Sequence, residues 1–318
     1  MAKQFKDSIL TSLKGLAMGA VEVVPGVSSG TIALIAGIYE ELISTIKNLP
    51  SAVKALFANK FNLKHFWKDM NGSFLFSLLL GMGIGVLSLA QLTKHMLETY
   101  PIPVWAFFFG LVLASVWFVL KEIKKWKPAY FFLLALGAVA GFLITTLSPA
   151  ETPEALRFIF LSGALAICAM LLPGVSGSFI LLILGKYQYI LTALTEANIP
   201  VILVFISGAV IGIILFSHFL SWLLKHYHAV AISFLAGVMF GSLNKIWPWK
   251  TVVESVVQPN GEIVPIVESN ILPTAYAQLT GEPSQVVAAV LMLIVGLSII
   301  FVIDGVARKV KERRAVQS

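Results

Sequence analysis

The chain has 318 residues, of which 58% are hydrophobic and only 12% are charged, and its formal net charge is +7. A soluble domain usually carries about 25% charged residues, so this composition excludes a soluble enzyme and indicates an integral membrane protein. The positive charge does not indicate a nucleic-acid partner, because the basic residues lie in short segments between apolar runs. With one cysteine, Cys168, the chain cannot form an intramolecular disulfide.

Six apolar segments are long enough, at roughly 20 residues, to cross a bilayer as a helix. They lie at about 73–93, 102–121, 128–148, 199–224, 229–247 and 284–305. Two further apolar segments, 8–47 and 157–195, are interrupted near their middles by VPGVSSGT and LPGVSGSF. Proline and glycine break helices, and non-helical backbone at membrane depth is tolerated only where it is buried in protein or lines a cavity. We therefore predict an all-α integral membrane protein with two broken segments.

The distribution of basic residues predicts the topology. Eighteen of the 23 basic residues fall on one side if each interrupted segment enters and leaves the membrane on the same face, as a re-entrant hairpin. They are Lys3, Lys6, Lys14, Lys47, Lys54, Lys60, Lys64, Lys68, Lys121, Lys124, Lys125, Lys127, Lys225, Arg308, Lys309, Lys311, Arg313 and Arg314. Both termini are then cytoplasmic. The proline-containing segment 248–283 is predicted to be an irregular extracytoplasmic loop.

The two halves of the chain resemble each other. Aligning Pro25 with Pro173 matches PGVS to PGVS, and a second block aligns several glycines. The aligned pairs are Gly15 with Gly163, Gly37 with Gly185, Tyr39 with Tyr187, Gly81 with Gly208, Gly85 with Gly212, Tyr100 with Tyr227, Gly110 with Gly237 and Ser115 with Ser242. Each repeat holds one re-entrant hairpin and three spans, so the second copy is inverted, as in many secondary transporters.

These boundaries define three regions. The first repeat covers 1–150, with its re-entrant hairpin at 8–47, a cytoplasmic Lys-rich loop at 48–72 and three spans. The second, inverted repeat covers 151–305, with its hairpin at 157–195 and the extracytoplasmic loop at 248–283. A basic cytoplasmic tail follows at 306–318.

The PGVS motifs are the candidate binding site. In each, a second half-helix begins at membrane depth, and a helix N-terminus offers free N–H groups and a partial positive charge to an anion such as phosphate or carboxylate. Glycine permits close approach, and hydroxyl groups add donors. The alternative is a capped helix break with small residues for tight packing. The candidate residues are Pro25, Gly26, Val27, Ser28, Ser29, Gly30, Thr31, Pro173, Gly174, Val175, Ser176, Gly177 and Ser178.

Two charged residues accompany the motifs. Glu22 is an intramembrane carboxylate that could couple H⁺ or Na⁺ to transport, and the alternative is a neutral, hydrogen-bonded structural residue. Lys186 could attract an anion from the outer side, or it could extend to the interface. No metal-binding, nucleotide-binding or nucleophile–base pattern is present, so we expect no cofactor other than a coupling ion.

The segments GLAMGAVEVVPGVSSGTIALIAGIYEELI and LLPGVSGSFILLILGKYQYIL resemble the two signatures of the bacterial polyprenyl-phosphate transporter family PopT. The resemblance covers the chain from about Lys14 to Asp304. It implies a flippase, not an enzyme, in the bacterial cytoplasmic membrane. The substrate would be undecaprenyl phosphate, returned from the outer to the cytoplasmic leaflet for reuse in peptidoglycan and surface polysaccharide synthesis.

Carried over from the family, phosphate binding falls on Ser28, Ser29, Gly30 and Thr31, and on Ser176, Gly177 and Ser178. The family often has Asp at the position of Glu22, and Ser-Gly-Gly where this chain has Ser28-Ser29-Gly30. A lipid substrate fits a membrane interior in which Glu22 and Lys186 are the expected charges. Two other classes stay open: a transporter or channel for a small soluble anion, and a membrane enzyme acting on polyprenyl phosphates. A homo-oligomer is compatible with the sequence.

Overall fold

The structure is a computed structural model that describes residues 2–22, 28–58, 61–149, 152–257 and 263–316. Side chains are not described at 2–6, 90, 94, 256–257, 263–266 and 303–316. The helices are α1 (Ala2–Glu22), α2 (Ser29–Ile35), α3 (Tyr39–Ala58), α4 (Leu63–Asp69), α5 (Gly72–Thr99), α6 (Pro101–Leu120), α7 (Pro128–Thr146), α8 (Leu156–Leu171), α9 (Gly177–Ile183), α10 (Tyr187–Thr195), α11 (Ile199–His226), α12 (His228–Ser242), α13 (Pro273–Thr280) and α14 (Val286–Val316). A 3-10 helix (Leu243–Ile246) follows α12, and two strands, β1 (Lys250–Val257) and β2 (Ile263–Asn270), precede α13.

The all-α membrane architecture is confirmed. In the described part of the chain, five helices are long and apolar enough to cross a membrane: the first part of α5, then α6, α7, α11 and α12 with its 3-10 extension. The apolar part of α14, Val286–Val302, is shorter. The number of spans rises to seven if each of two bent helix pairs counts as one. Helices occupy all six segments that the sequence predicted as spans.

Each interrupted segment contains a second break that the sequence analysis did not predict. Between α2 and α3 the helix axis turns by 118°, and between α9 and α10 it turns by 107°. Gly37 and Gly185 lie at these turns with φ of +66° and +62°, a region that side-chain-bearing residues rarely adopt. The helix after each PGVS motif therefore has only seven residues.

Glycines bring two pairs of helices into close contact. Helix α1 packs on α5, and α8 packs on α11. A Cβ atom added to Gly81 would lie 2.0 Å from the carbonyl oxygen of Ser12, and one added to Gly208 would lie 2.0 Å from that of Phe160. The absence of a side chain at these positions allows the backbones to touch, as is common between membrane helices.

Two further pairs join the first half of the chain to the second. Helix α6 packs on α14, and α7 packs on α12. A Cβ added to Gly110 would lie 2.2 Å from the carbonyl oxygen of Leu293, and one added to Gly237 would lie 2.2 Å from that of Leu134. The last helix of each half therefore packs against a helix of the other half.

The prediction of an irregular loop at 248–283 was wrong. Strands β1 and β2 form an antiparallel hairpin whose register runs from Lys250 opposite Asn270 to Val257 opposite Ile263. Valine and isoleucine favour this extended structure, and a two-stranded sheet has only edge strands, which tolerate the proline within β2. The indole N–H of Trp247 donates to the carbonyl of Ile271 at 2.9 Å. This bond ties the hairpin to the end of α12.

Candidate functional site

The two PGVS regions meet in the fold. The backbone N–H of Gly174 donates to the hydroxyl of Thr31 at 2.9 Å, and Thr31 is fully buried. The hydroxyl of Ser28 donates to the carbonyl of Leu172 at 3.3 Å. Two segments far apart in sequence are thus joined directly at their helix breaks. Pro25, Gly26 and Val27 lie outside the described residues.

The beginning of α2 is capped by its own chain. Ser28 has the extended φ/ψ of an N-cap residue, and its hydroxyl accepts the N–H of Gly30 at 3.1 Å. A Cβ on Gly30 would lie 3.1 Å from the carbonyl oxygen of Met170, so this position is tight. The packing alternative therefore accounts for part of the first motif, since Ser28 and Gly30 both serve the helix start.

The beginning of α9 differs, because no described side chain caps it. Ser176 occupies the N-cap position, but its hydroxyl instead pairs with that of Ser178 at 2.8 Å. Ser178 is exposed, whereas Gly177 is buried. The first N–H groups of a helix have no partner inside it. The second motif therefore presents both hydroxyl groups and uncapped N–H donors, although a seven-residue helix has a weaker dipole than a long one.

The rest of the second motif is packed against α12. Pro173, Gly174 and Val175 are buried. Gly174 has φ of +87°, and a Cβ there would lie 2.8 Å from the hydroxyl oxygen of Ser242. The hydroxyl of Tyr39 donates to the carbonyl of Leu171 at 2.7 Å just before the break. These residues hold the break in place and do not present donors to a ligand.

Glu22 and Lys186 have different surroundings. Glu22 is exposed at the end of α1, where its carboxylate interacts with the side chain of Ser29. Lys186 is buried, with only 2% of its surface exposed. Its ammonium group donates to the carbonyl of Thr152 at 2.5 Å and lies 5.7 Å from the centroid of the Tyr189 ring. The head group is thus held by the segment between α7 and α8, and both roles predicted for Lys186 stay predictions.

A second polar cluster was missed by the sequence analysis. The ammonium groups of Lys245 and Lys250 lie 3.0 Å and 3.3 Å from the same carboxylate oxygen of Glu268. Lys250 also lies over the ring of Trp105, 4.3 Å from its centroid. Two lysines share one glutamate here, so the cluster carries a net positive charge. A hairpin was needed to bring Glu268 back to the lysines, and no hairpin was predicted.

The charged groups of this cluster shift one another's pKa values. Burial lowers the pKa of Lys250 to about 8, although the nearby Glu268 carboxylate opposes this change. Burial alone would raise the pKa of Glu268, but Lys250 and Lys245 outweigh it and hold that pKa below its usual range. Among the residues that the structure describes, no group of three or more His, Cys, Asp or Glu side chains could hold a metal ion.

Comparison with known proteins gives the family. A family model described as undecaprenyl phosphate translocase-like matches residues 18–264. The chain belongs to the undecaprenyl phosphate translocase-like family. It is 42% identical over 310 residues to a polyprenyl-phosphate transporter of Vibrio cholerae, covering 97% of this chain and 100% of that protein. It is 32% identical over 265 residues to a polyprenyl-phosphate transporter of Staphylococcus aureus, covering 77% of this chain and 88% of the relative. No solved structure matches the chain.

The family resemblance stated from the two PGVS signatures is confirmed, and members of this translocase-like family are transporters, not enzymes.

Proposed function

We propose that this protein returns undecaprenyl phosphate from the outer to the inner leaflet of the bacterial cytoplasmic membrane. The lipid would then be reused for peptidoglycan and surface polysaccharide synthesis. The two relatives are named polyprenyl-phosphate transporters, which supports the substrate class.

The observation that carries the proposal is the contact between the two motifs. The Thr31–Gly174 hydrogen bond places two helix breaks side by side within the protein. At this junction the uncapped start of α9 provides N–H groups, and Ser176 and Ser178 provide hydroxyl groups. Such donors bind a phosphate without a permanent buried cation. We assign head-group binding mainly to the second motif, with Ser29 completing the site from the first, while Thr31 holds the two motifs together.

The pattern of helix contacts supports an inverted repeat. Gly81 contacts the backbone of Ser12, and the aligned Gly208 contacts Phe160 in the same way. The aligned Gly110 and Gly237 each contact the last helix of the opposite half. With each bent pair as a re-entrant hairpin, the basic loops and both termini face the cytoplasm. The hairpin of β1 and β2 is then extracytoplasmic. The two repeats would alternate access around a fixed head-group site while the tail stays in lipid.

Glu22 is the candidate coupling residue. It lies at the end of α1, next to the first motif, and its contact with Ser29 links a titratable group to the head-group site. Binding of H⁺ or Na⁺ at this carboxylate would change the charge that a phosphate meets. An ion gradient would thereby drive the lipid in one direction.

The test is transbilayer movement of undecaprenyl phosphate in liposomes that contain the purified protein, with the neutral polyprenol as control. We expect movement of the phosphate only, and its loss when Ser176 and Ser178 are both replaced by alanine. No movement under any H⁺ or Na⁺ gradient would contradict the proposal. Movement of inorganic phosphate instead would identify a transporter for a small soluble anion.

A further inference from the structure

The cluster of Lys245, Lys250 and Glu268 forms one wall of a polar cavity. The cavity has a volume of about 210 Å³ and lies between the end of α7, the 3-10 helix and the hairpin. Its polar lining includes Thr145, Thr146, Asn244 and Asn270, as well as the two lysines. The N–H and O–H groups of its lining belong to two lysines, two asparagines, two threonines and two serines, against a single carboxylate. This composition is suited to an anion with several acceptor oxygen atoms.

An apolar groove continues from this cavity. The groove has a volume of about 650 Å³, and Asn244 and Asn270 line both the groove and the polar cavity. Its other lining side chains are almost all apolar, among them Phe109, Phe142 and Trp247. Phe142 and Phe240 are about half exposed, at 48% and 52%, so the groove is open on its outer side.

A second apolar groove extends the first one along the helices. It has a volume of about 410 Å³ and shares Leu113, Ala138 and Phe240 with the first. Together the grooves follow α7 from Phe142 back to Phe131, between α6 and α12. Eleven residues of helix correspond to roughly 16 Å at 1.5 Å per residue. All three helices are apolar enough to cross the membrane, so the grooves face the bilayer.

We propose that this cavity and its grooves form a binding site for a single-chain lipid phosphate, with the phosphate against Lys245 and Lys250 and the apolar chain in the grooves. A cationic pocket alone would take any phosphate, and an apolar groove alone would take any lipid. The shared residues Asn244 and Asn270 join the two in one site, which matches an amphiphile with one anionic head.

The location suggests a role in the transport cycle. This step rests on the proposed function and its topology, in which the hairpin is extracytoplasmic. The cavity would then collect lipid phosphate from the outer leaflet. Phe179, which follows Ser178 directly, lines the cavity, and the ammonium group of Lys245 lies 5.0 Å from the centroid of its ring. The lipid head would therefore be received beside the second PGVS motif.

The test is equilibrium binding of radiolabelled farnesyl phosphate to the full chain in nanodiscs, with empty nanodiscs as background. Two competitors are used. Farnesol shares only the apolar tail of farnesyl phosphate, and inorganic phosphate shares only its head group. We expect Lys245→Gln to weaken farnesyl phosphate binding about tenfold, because it removes one charge-assisted contact. Lys54→Gln removes an equal charge from an exposed site on α3 and is expected to have no effect.

The grooves are tested separately. Ala135 is exposed and lines the second groove, so Ala135→Trp fills it without entering a helix contact. Leu136→Trp, on the exposed neighbouring position outside the grooves, is the matched control. We expect Ala135→Trp to weaken farnesyl phosphate binding about tenfold, as lost burial of several methylene groups would, and Leu136→Trp to leave it unchanged.

Three results would overturn this inference. Unchanged binding in both Lys245→Gln and Ala135→Trp would show that the lipid is held elsewhere. Equal competition by inorganic phosphate, with no effect of Ala135→Trp, would indicate a pocket for free phosphate. Absence of farnesyl phosphate binding to the unmodified chain would also refute the site. If the same preparation still moved undecaprenyl phosphate between leaflets, the proposed function would stand without it.

Discussion

The hydroxyl of Thr31 accepts a hydrogen bond from the backbone N–H of Gly174 at 2.9 Å, and this bond joins the two PGVS regions. Both groups are buried, so neither can form a replacement hydrogen bond with water when the other is removed. The bond therefore fixes the relative position of the two helix breaks between which we place the phosphate.

Thr31→Val is expected to destabilise the protein by about 1–3 kcal/mol, because it keeps the shape of the side chain but leaves the Gly174 N–H without an acceptor. The measurement is thermal unfolding of the purified protein in detergent. Thr31→Ser keeps the hydroxyl and is the control. Equal stability of Thr31→Val and the unmodified chain would mean that another acceptor replaces Thr31.

The serines of the two motifs are expected to respond differently. Ser176→Ala with Ser178→Ala should reduce undecaprenyl phosphate transport in liposomes about tenfold or more, with little change in the unfolding midpoint, because within the described part of the chain these hydroxyls bond only to each other. Ser28→Ala removes an N-cap and should cost about 1 kcal/mol of stability. Normal transport by the Ser176/Ser178 double variant would make those serines structural.

Glu22→Gln should abolish the dependence of transport on a H⁺ or Na⁺ gradient, because the amide cannot ionise. The measurement is transport into liposomes with imposed gradients of each ion in turn. Glu22→Asp keeps the charge and should retain the dependence with an altered rate. A dependence that survives in Glu22→Gln would remove this residue from the coupling mechanism.

Gly208→Ala should lower the unfolding midpoint by several degrees, equivalent to roughly 1–3 kcal/mol, because the added Cβ forces α8 and α11 apart. Gly83→Ala is the matched control, since a Cβ at Gly83 in α5 meets nothing within 4 Å. Alanine is the better helix former, so this control should be neutral or slightly stabilising. Equal losses in both variants would contradict the close contact at Gly208.

Binding of farnesyl phosphate should weaken as the pH rises above about 8. Lys250 has a pKa of about 8 without ligand, and a bound phosphate would raise it by favouring the charged form. The ionic contact between Lys250 and the phosphate is therefore fully formed at lower pH, and it is lost as Lys250 releases its proton. Among the described residues, the other charged groups facing Lys250 are Lys245 and Glu268.

Lys250→Arg separates this effect from others, because arginine stays charged throughout the accessible pH range. The measurement is the affinity in nanodiscs between about pH 7 and about pH 10, a range that spans the lowered pKa of Lys250 and ends just below the ordinary lysine pKa of about 10.4. We expect the decline above pH 8 to disappear in Lys250→Arg. A decline of equal size in that variant would assign the pH dependence to another group.

Much of the fold follows from simple features of the sequence. The membrane helices are predictable because the length of an apolar run reflects the thickness of the bilayer. The two PGVS motifs were predicted together as the candidate binding site, and their contact through Thr31 and Gly174 is consistent with that prediction. The second break at Gly37 and Gly185 was not, because a single glycine inside an apolar run is compatible with an unbroken helix. Its signal was present, since both glycines aligned between the repeats.

The polar cavity was harder to predict because its charges come from separate elements. Lys245 lies in the 3-10 helix, Lys250 begins β1, and Glu268 lies on β2. One indication was available: Lys245 and Lys250 are among the five basic residues that do not fall on the cytoplasmic side of the predicted topology. Lys186 is another of these five, and its burial against Thr152 depends on a tertiary contact that no local pattern reveals.

The exchange of partners between α6, α7, α12 and α14 has a consequence for motion. The last helix of each half packs against the other half, so these four helices tie the two halves of the described chain together. In the alternating access that we propose, they would therefore form the fixed frame. The segments that rock against it would be α1 with α5 on one side and α8 with α11 on the other.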